Sequence, residues 1–366
     1  MTATLPMSGD FHRTERLAGD RSWLGRIAIV ALALLLLAAM VLSMTTGASG
    51  ASTMNLVSSW FGAQVADPAA LLRDQTVIYN IRLPRMILGV LVGAALAVSG
   101  LVMQGLFRNP LADPGLVGVS AGAGLGAVGI IVLGTTVLAP LTALLGIYTL
   151  QIAAFLGGLI TTFILYRVAT KSGQTAIATM LLAGIAIAAL AGAVTGVLVY
   201  VATDSQLRDL TFWGLGSLSG ANWTKIAASG PIIVVALAAA AFLAKGLNAL
   251  TLGEATARHI GLPVQRFKLA AIVAVAGATG AAVAVSGGIG FVGIVVPHLL
   301  RLVIGPDHRY LLPASALLGA SFLLLADAVS RLVVAPAELP IGIVTAAVGG
   351  PFFLWILLRR RNAIAW

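Results

Sequence analysis

The sequence predicts an all-α integral membrane protein with ten transmembrane helices. Of its 366 residues, 59% are hydrophobic and only 9% are charged, whereas soluble domains average about 25% charged residues. The apolar residues form long continuous runs, which favour helices over the alternating strands of a barrel. Basic residues stand at the ends of these runs, as they do in the cytoplasmic loops of membrane proteins.

Ten runs approach the roughly 20 residues that one bilayer crossing requires. They are 23–45, 76–106, 115–134, 141–168, 174–202, 224–244, 268–290, 292–305, 311–334 and 341–358. The run 292–305 is short and contains Pro297, so we expect a broken or tilted helix there. The predicted organisation is a cytoplasmic tail at 1–22, one transmembrane domain at 23–358 and a cytoplasmic tail at 359–366. The first run also resembles a signal peptide, but its length favours an uncleaved first helix.

The distribution of charge predicts the topology. With the N-terminus in the cytoplasm, most of the 22 Lys and Arg residues fall on the cytoplasmic side, which places both termini inside. The net charge of +10 does not indicate nucleic-acid binding, because the basic residues are scattered among helix ends rather than clustered on one face. Without cysteine the chain has no disulfides and no thiolate metal sites.

The sequence contains no phosphate-binding loop, so we expect no ATPase activity. Such a loop has the form G-x-x-x-x-G-K-[ST]. Lys171 is the one lysine that precedes Ser or Thr, and Thr170 stands where the loop needs glycine. The chain is therefore predicted to be a transport subunit rather than an enzyme, and any energy from ATP must come from another protein.

Two other functional classes are disfavoured. An intramembrane protease could use Ser120 in the run G-V-S-A-G at 118–122, but that pattern needs a strand–turn–helix setting. An ion-coupled transporter usually carries ionisable groups within the membrane. Here Asp327 is the candidate, and Arg331 lies four residues later on the same helix face, where the two can pair. His298 could ligate a metal or haem, but packing explains a lone histidine better. We predict no metal site and no cofactor.

Small residues and one loop suggest how the helices pack and couple. Gly118, Gly122 and Gly126 would share one face of the third helix, as do Gly89 with Gly93 and Gly192 with Gly196. Close helix packing is one explanation for this spacing, and a smooth wall along a substrate path is the other. The longest polar loop on the cytoplasmic side, 245–267, reads as short helices broken at Gly261 and Pro263. It suits docking to a cytoplasmic partner.

Several runs together resemble one family. They include RNPLADPGLVGVSAGAG at 108–124, LGEATARHIGL at 252–262, SGGIGFVGIVVPHLLRL at 286–302 and APAELPIG at 335–342. The chain after residue 81 resembles the FecCD/BtuC-like permeases of type II ABC importers, which carry iron-siderophores, haem or cobalamin. The resemblance implies a multi-pass homodimer in the bacterial inner membrane, with an inverted repeat relating helices two to five and seven to ten.

The resemblance also implies partners and site residues. Two cytoplasmic ATP-binding subunits would dock on the loop between helices six and seven, through Gly253, Glu254, Ala255, Arg258 and Gly261. A periplasmic binding protein would place acidic residues on the outer arginines, which are Arg82, Arg85 and Arg331. The path would follow the dimer axis, lined mainly by helices three, five and ten, and so would include Gly118, Gly122 and Gly126.

The substrate is predicted to be haem, with ferric siderophore and cobalamin as alternatives. The runs at 105–122, 204–223 and 331–344 look most like haem importer permeases, and the cobalamin permease shares much of them. Haem is large, flat and mostly apolar, so a path rich in strong axial ligands would trap it. The chain has no cysteine, and His298 is its one histidine inside a predicted span.

Overall fold

The structure, a computed structural model, describes residues 21–47, 50–60, 67–171 and 174–361, and this part of the chain is almost entirely helical. The helices are α1 (Ser22–Thr45), α2 (Thr53–Trp60), α3 (Pro68–Val77), α4 (Leu83–Phe107), α5 (Val119–Leu133), α6 (Ala139–Leu145), α7 (Thr149–Ala169), α8 (Ile177–Val201), α9 (Asp204–Leu215), α10 (Trp223–Phe242), α11 (Ala244–Thr251), α12 (Glu254–His259), α13 (Val264–Ser286), α14 (Val292–Ile304), α15 (His308–Leu332) and α16 (Ile341–Arg361). In the described ranges, 7 helical segments are long and apolar enough to span a membrane, and α5, α14 and α16 are shorter apolar helices. The all-α membrane fold is confirmed. The count of ten crossings and the cytoplasmic placement of the termini stay predictions.

Three helices form the centre of the molecule. In α4, α13 and α15 the most apolar stretch is 83%, 78% and 61% buried, whereas in α1 and α8 it is only 11% buried. Helices of the second kind expose most of their apolar side chains, which only lipid or another chain can solvate. The buried helices therefore position the sites, and the outer helices face the bilayer or a partner.

The α4–α15 pair shows why glycine is needed at the centre. The helices run antiparallel, because Gly89 lies against Leu324, Gly93 against Gly319 and Gly105 against His308. A Cβ atom at Gly93 would collide with the backbone carbonyl of Gly319. Small residues let two backbones approach this closely in a membrane protein. The packing explanation thus holds for Gly89 and Gly93.

Two helix pairs have the same form, as the inverted repeat that stays a prediction would require. Buried α4 is followed by the short helix α5, and buried α13 is followed by the short helix α14. Both short helices begin after a residue in the left-handed region, Gly118 with φ +73° and Phe291 with φ +68°. Gly293 on α14 packs directly on Gly100 of α4, which brings the start of α14 against the middle of that helix.

The structure differs from the sequence prediction mainly between the long helices. The segment 46–75 contains α2 and α3, and α3 continues through a π-helical turn (Ile78–Arg82) into α4. The segment 203–223 contains α9, which Thr203 and Gln206 begin with a capping box. No strands were expected, but Thr170–Lys171 pairs with Gln174–Thr175 as a two-residue antiparallel ladder between α7 and α8.

Candidate functional site

The three-glycine face of α5 is a helix-packing surface. A Cβ atom at Gly122 would collide with Thr161 and with the backbone carbonyl of Gly157, and one at Gly126 would collide with the carbonyl of Ala153. Gly118 has a left-handed backbone, and its added Cβ would lie 2.9 Å from the Thr161 methyl group. All three therefore face α7. The prediction that this face lines the path is corrected, because another helix already fills the space in front of it.

A different face of α5 borders an open groove. The groove has a volume of about 460 Å³ and lies between α5, α8 and α9. Its lining includes Ser120, Gly124, Val128, Gly192, Thr195 and Trp213. Cβ atoms added at Gly192 or Gly196 would meet nothing within 4 Å, so these glycines do not serve packing in the described chain. Helices α5 and α8 are two of the three helices expected to line the path, but α16 contributes no residue to this groove.

A smaller polar cavity adjoins the groove at Ser120, which lines both. Its volume is about 200 Å³, and Asp113 and Thr279 contribute polar atoms. The Gly115 N–H donates to Asp113 Oδ1 at 2.8 Å. Burial raises the pKa of the Asp113 carboxyl above its ordinary value, against the lowering effect of that hydrogen bond. The buried Thr279 hydroxyl has no hydrogen-bond partner among the described residues.

The sequence analysis assigned no role to Asp113 or Thr279. Asp113 belongs to the LADPG run that carried part of the resemblance, so a signal was present. Thr279 stands alone in an Ala- and Gly-rich helix, and the sequence does not show that it faces a cavity.

Two of the three outer arginines, Arg85 and Arg331, lie in an ion-pair network. Asp327, which is fully buried, accepts hydrogen bonds from Arg85 Nη2 at 2.8 Å and Nε at 3.0 Å, and its second oxygen lies 3.0 Å from Arg331 Nη2. Glu338 accepts from Arg85 Nη1 at 2.7 Å. Arg82 donates to the carbonyl of Met44 at 2.7 Å. We call Arg85, Arg331, Asp327 and Glu338 the outer ion cluster.

This network has two consequences for the predicted docking residues. The predicted pairing of Arg331 with Asp327 is confirmed, although Arg85, 242 positions away in sequence, shares the same carboxylate. Arg82, Arg85 and Arg331 are only 4–6% exposed. Their role in docking stays a prediction, and a partner would have to compete with the bonds that they already make. Glu338, whose side chain is 37% exposed, is the most accessible member of the cluster.

The predicted coupling residues lie on and around the short helix α12. Gly253 and Gly261 flank this helix with φ +102° and +88°, a left-handed range that glycine adopts without strain. Ala255 and Arg258 are exposed, and so are Leu252 at 67% and Ile260 at 63%. We call these exposed residues the α12 patch. Exposed apolar side chains beside charged ones are compatible with docking of a cytoplasmic partner, which stays a prediction.

Glu254 differs from the rest of this loop because it is tied to the core. Its Oε1 atom lies 2.7 Å from Nζ of Lys268, which is 2% exposed, and Arg258 lies 3.8 Å from its other oxygen. The ion pair with Lys268 connects α12 directly to the buried helix α13. A charged contact thus joins the short helix to the buried centre of the molecule, and the coupling role of Glu254 stays a prediction.

His298 packs against an aromatic ring. It contacts Phe352 edge-on, with ring centroids 5.9 Å apart. In the described ranges no three His, Asp or Glu side chains come together as a metal site would require.

Comparison with known proteins matches nearly the whole chain to one family. The FecCD transport family model matches residues 35–359. The hemin transport system permease HmuU of Yersinia pestis is 50% identical over 283 residues, which cover 77% of this chain and 83% of that protein. The cobalamin import permease BtuC of Halobacterium salinarum is 47% identical over 286 residues (78% and 74%). The vitamin B12 import permease BtuC of Klebsiella pneumoniae is 43% identical over 309 residues (84% and 90%).

Solved structures agree with this assignment. A metal-chelate type ABC transporter in an inward-facing conformation superposes with a TM-score of 0.78 at 31% identity, covering 91% of this chain and 99% of that one. PsaBC from Streptococcus pneumoniae, at 16% identity and a TM-score of 0.54, shares the fold alone. With a family match over residues 35–359 and several helices apolar enough to cross a membrane, the chain is a multi-pass membrane permease of the FecCD transport family.

Proposed function

We propose that this chain is the permease subunit of an ATP-driven importer and that it moves haem from a periplasmic binding protein into the cytoplasm. The observation that carries the proposal is the family match over residues 35–359, together with 50% identity to a hemin transport permease. The missing phosphate loop supports an ATPase on a separate chain. The proposed location is the bacterial inner membrane.

The proposed path lies between two copies of the chain. Helix α8 is only 11% buried in its apolar stretch, and its glycines face open space, so a homodimer would cover this surface. The groove between α5, α8 and α9 would then face the twofold axis. In this proposal the path is lined by Gly192 and Thr195 on α8 and by the Ser120 side of α5, instead of by the three-glycine face.

The two ends of the helix bundle are proposed to bind different partners. The α12 patch would receive the ATP-binding subunit, because it combines exposed apolar residues with a direct ion pair to α13. The outer ion cluster lies at the opposite end of the antiparallel helices α4 and α15, where a periplasmic protein would dock. Acidic groups of that protein would compete with Glu338 for Arg85, and exchange of one carboxylate for another leaves the buried arginine paired throughout.

The groove chemistry suits haem. Among the residues that the structure describes, its lining is made of small and apolar side chains with Ser120, Thr195, Thr211 and Trp213, and it includes no histidine, methionine or tyrosine. A substrate iron would meet no axial ligand there, so haem could pass without being trapped. Cobalamin is the second candidate, because a cobalamin import permease is 47% identical over a similar share of the chain.

The substrate is tested by uptake into vesicles that contain the complete complex. Haem, cobalamin and a ferric siderophore are each supplied on their cognate binding protein, with ATP inside or withheld. We expect accumulation of haem that depends on ATP, with stimulated hydrolysis. Accumulation of cobalamin or siderophore without haem would refute the haem assignment and leave the permease assignment standing.

A further inference from the structure

A second groove lies on the lateral surface of the molecule, away from the proposed path. It has a volume of about 720 Å³ and runs between α10 and α13. Ala236 and Ala274, which are 7% and 8% exposed, form part of its lining, whereas Val235 and Val273 beside them are 69% and 59% exposed. The groove thus has a floor of small residues and apolar walls, and it is open to the surroundings.

The length of the groove matches one leaflet of a bilayer. Its α13 side extends from Arg266 to Gly277, and these twelve residues of helix span about 16 Å between their first and last Cα atoms. The hydrocarbon core of a bilayer is about 30 Å thick, so one leaflet is about half of that. At the Gly277 end the two helices come together, because a Cβ atom there would lie 3.8 Å from the Cβ of Ala236.

A single cation marks one end of this apolar channel. Arg266 is exposed in the first turn of α13, next to the α12 patch and so at the predicted cytoplasmic end. No salt bridge to Arg266 is found among the described residues. The remaining lining comes from Pro231, Gly277 and apolar side chains, so nothing else in the groove attracts a charged group. A phospholipid has the matching form, with an anionic headgroup at one end and an acyl chain one leaflet long.

We propose that the α10–α13 groove binds an anionic phospholipid of the cytoplasmic leaflet, with its phosphate on Arg266 and an acyl chain along the small-residue floor. The site lies beside the coupling machinery, since Lys268, two residues from Arg266, pairs with Glu254. A lipid held there packs against the same helix that receives the motion of the α12 patch. The proposal does not depend on which substrate is carried.

The test is photo-crosslinking of lipids to the full-length chain in nanodiscs. Phosphatidylglycerol or phosphatidylcholine carries a photoreactive group in its acyl chain, and crosslinked peptides are identified by mass spectrometry. Arg266→Ala is compared with Arg167→Ala, which removes an exposed arginine of the last turn of α7 at the same predicted membrane level. Arg266→Lys keeps the charge, and Ala239→Leu with Ala270→Leu fills the groove from two exposed positions.

For the unmodified chain we expect phosphatidylglycerol to label α10 and α13 about fivefold more than phosphatidylcholine, as one basic group near the membrane surface implies. Arg266→Ala should abolish this preference, Arg266→Lys and Arg167→Ala should keep it, and groove filling should reduce labelling by both lipids. Equal labelling by the two lipids in the unmodified chain, or equal effects of Arg266→Ala and Arg167→Ala, would overturn the proposal. Crosslinks from α10 and α13 to a second copy of the chain, in place of lipid, would do the same.

Discussion

Replacing Asp327 by Asn should destabilise the protein far more than losing an ordinary helix ion pair. Asp327 is fully buried and holds two guanidinium groups, those of Arg85 and Arg331, whose side chains are 7% and 6% exposed. Asn has nearly the same shape, so the change removes charge without creating a cavity. Glu338 would still pair with Arg85, but Arg331 would retain mainly backbone carbonyls, such as that of Thr46 at 2.8 Å.

The expected loss follows from this geometry. Removing one partner of a buried ion pair costs about 3–5 kcal/mol, because the remaining charge is left uncompensated. An exposed pair contributes at most about 1 kcal/mol. Arg309, which is 63% exposed and pairs with Asp307, supplies the matched control as Arg309→Gln. Asp327→Asn should therefore lower the folding equilibrium constant by roughly a hundredfold or more, while the control changes it by less than tenfold.

The assay is reversible unfolding of the purified chain in mixed micelles with increasing SDS, followed by far-ultraviolet circular dichroism. A further variant, Asp327→Asn with Arg331→Gln, removes the surplus positive charge and should recover part of the loss. If Asp327→Asn costs no more than Arg309→Gln, the outer ion cluster is not a buried network. If the double variant is less stable than Asp327→Asn alone, charge compensation is not the reason.

Four further predictions concern partners, path and pH. Arg258→Glu should weaken ATPase docking severalfold without lowering stability, because Arg258 is exposed and its contact with Glu254 is long, at 3.8 Å. Unchanged substrate-stimulated ATP hydrolysis in the complex would show that the α12 patch is not part of the interface. Glu338→Gln should strengthen binding-protein affinity at low salt, since it frees Arg85; weaker binding would show that Glu338 itself docks. Thr195→Trp should block uptake and leave complex assembly intact, and free passage would move the path away from α8. Burial raises the pKa of Asp307, but hydrogen bonds from Arg309 and Asn248 outweigh this and lower the pKa from 3.8 to about 2. The ionised carboxylate therefore stabilises the fold above pH 4, and this stabilisation is lost as the pH falls towards 2. Asp307→Asn should flatten the dependence of unfolding free energy on pH between pH 4 and 2, and an unchanged dependence would show that this carboxylate does not cause it.

The sequence predicted the fold well because the need to satisfy backbone hydrogen bonds in lipid acts within each apolar run. A run of about 20 apolar residues must form a helix in lipid, whatever surrounds it. The sequence could not predict α9 as readily, since that helix is polar and depends on the capping box at Thr203. It also missed the π-helical turn that joins α3 to α4, because neither apolar periodicity nor length indicates it.

The candidate sites were predicted less well because they depend on which face of a helix meets which neighbour. The spacing of Gly118, Gly122 and Gly126 identifies one face of α5 but not its contact, and that contact is α7 rather than a path. The i,i+4 spacing revealed the Asp327–Arg331 pair, whereas Arg85 joins it from the other end of the sequence. Glu254 was correctly placed on a loop helix, but its buried partner Lys268 required the packing of α12 on α13.

Reconstitution by components tests the central claim most directly. The chain is placed in vesicles alone, with its ATP-binding subunit, or with that subunit and the binding protein, and haem uptake and ATP hydrolysis are measured together. The account predicts no hydrolysis and no uptake by the chain alone, and ATP-dependent uptake only in the full assembly. Uptake by the chain alone, driven by an ion gradient without the ATP-binding subunit, would contradict it.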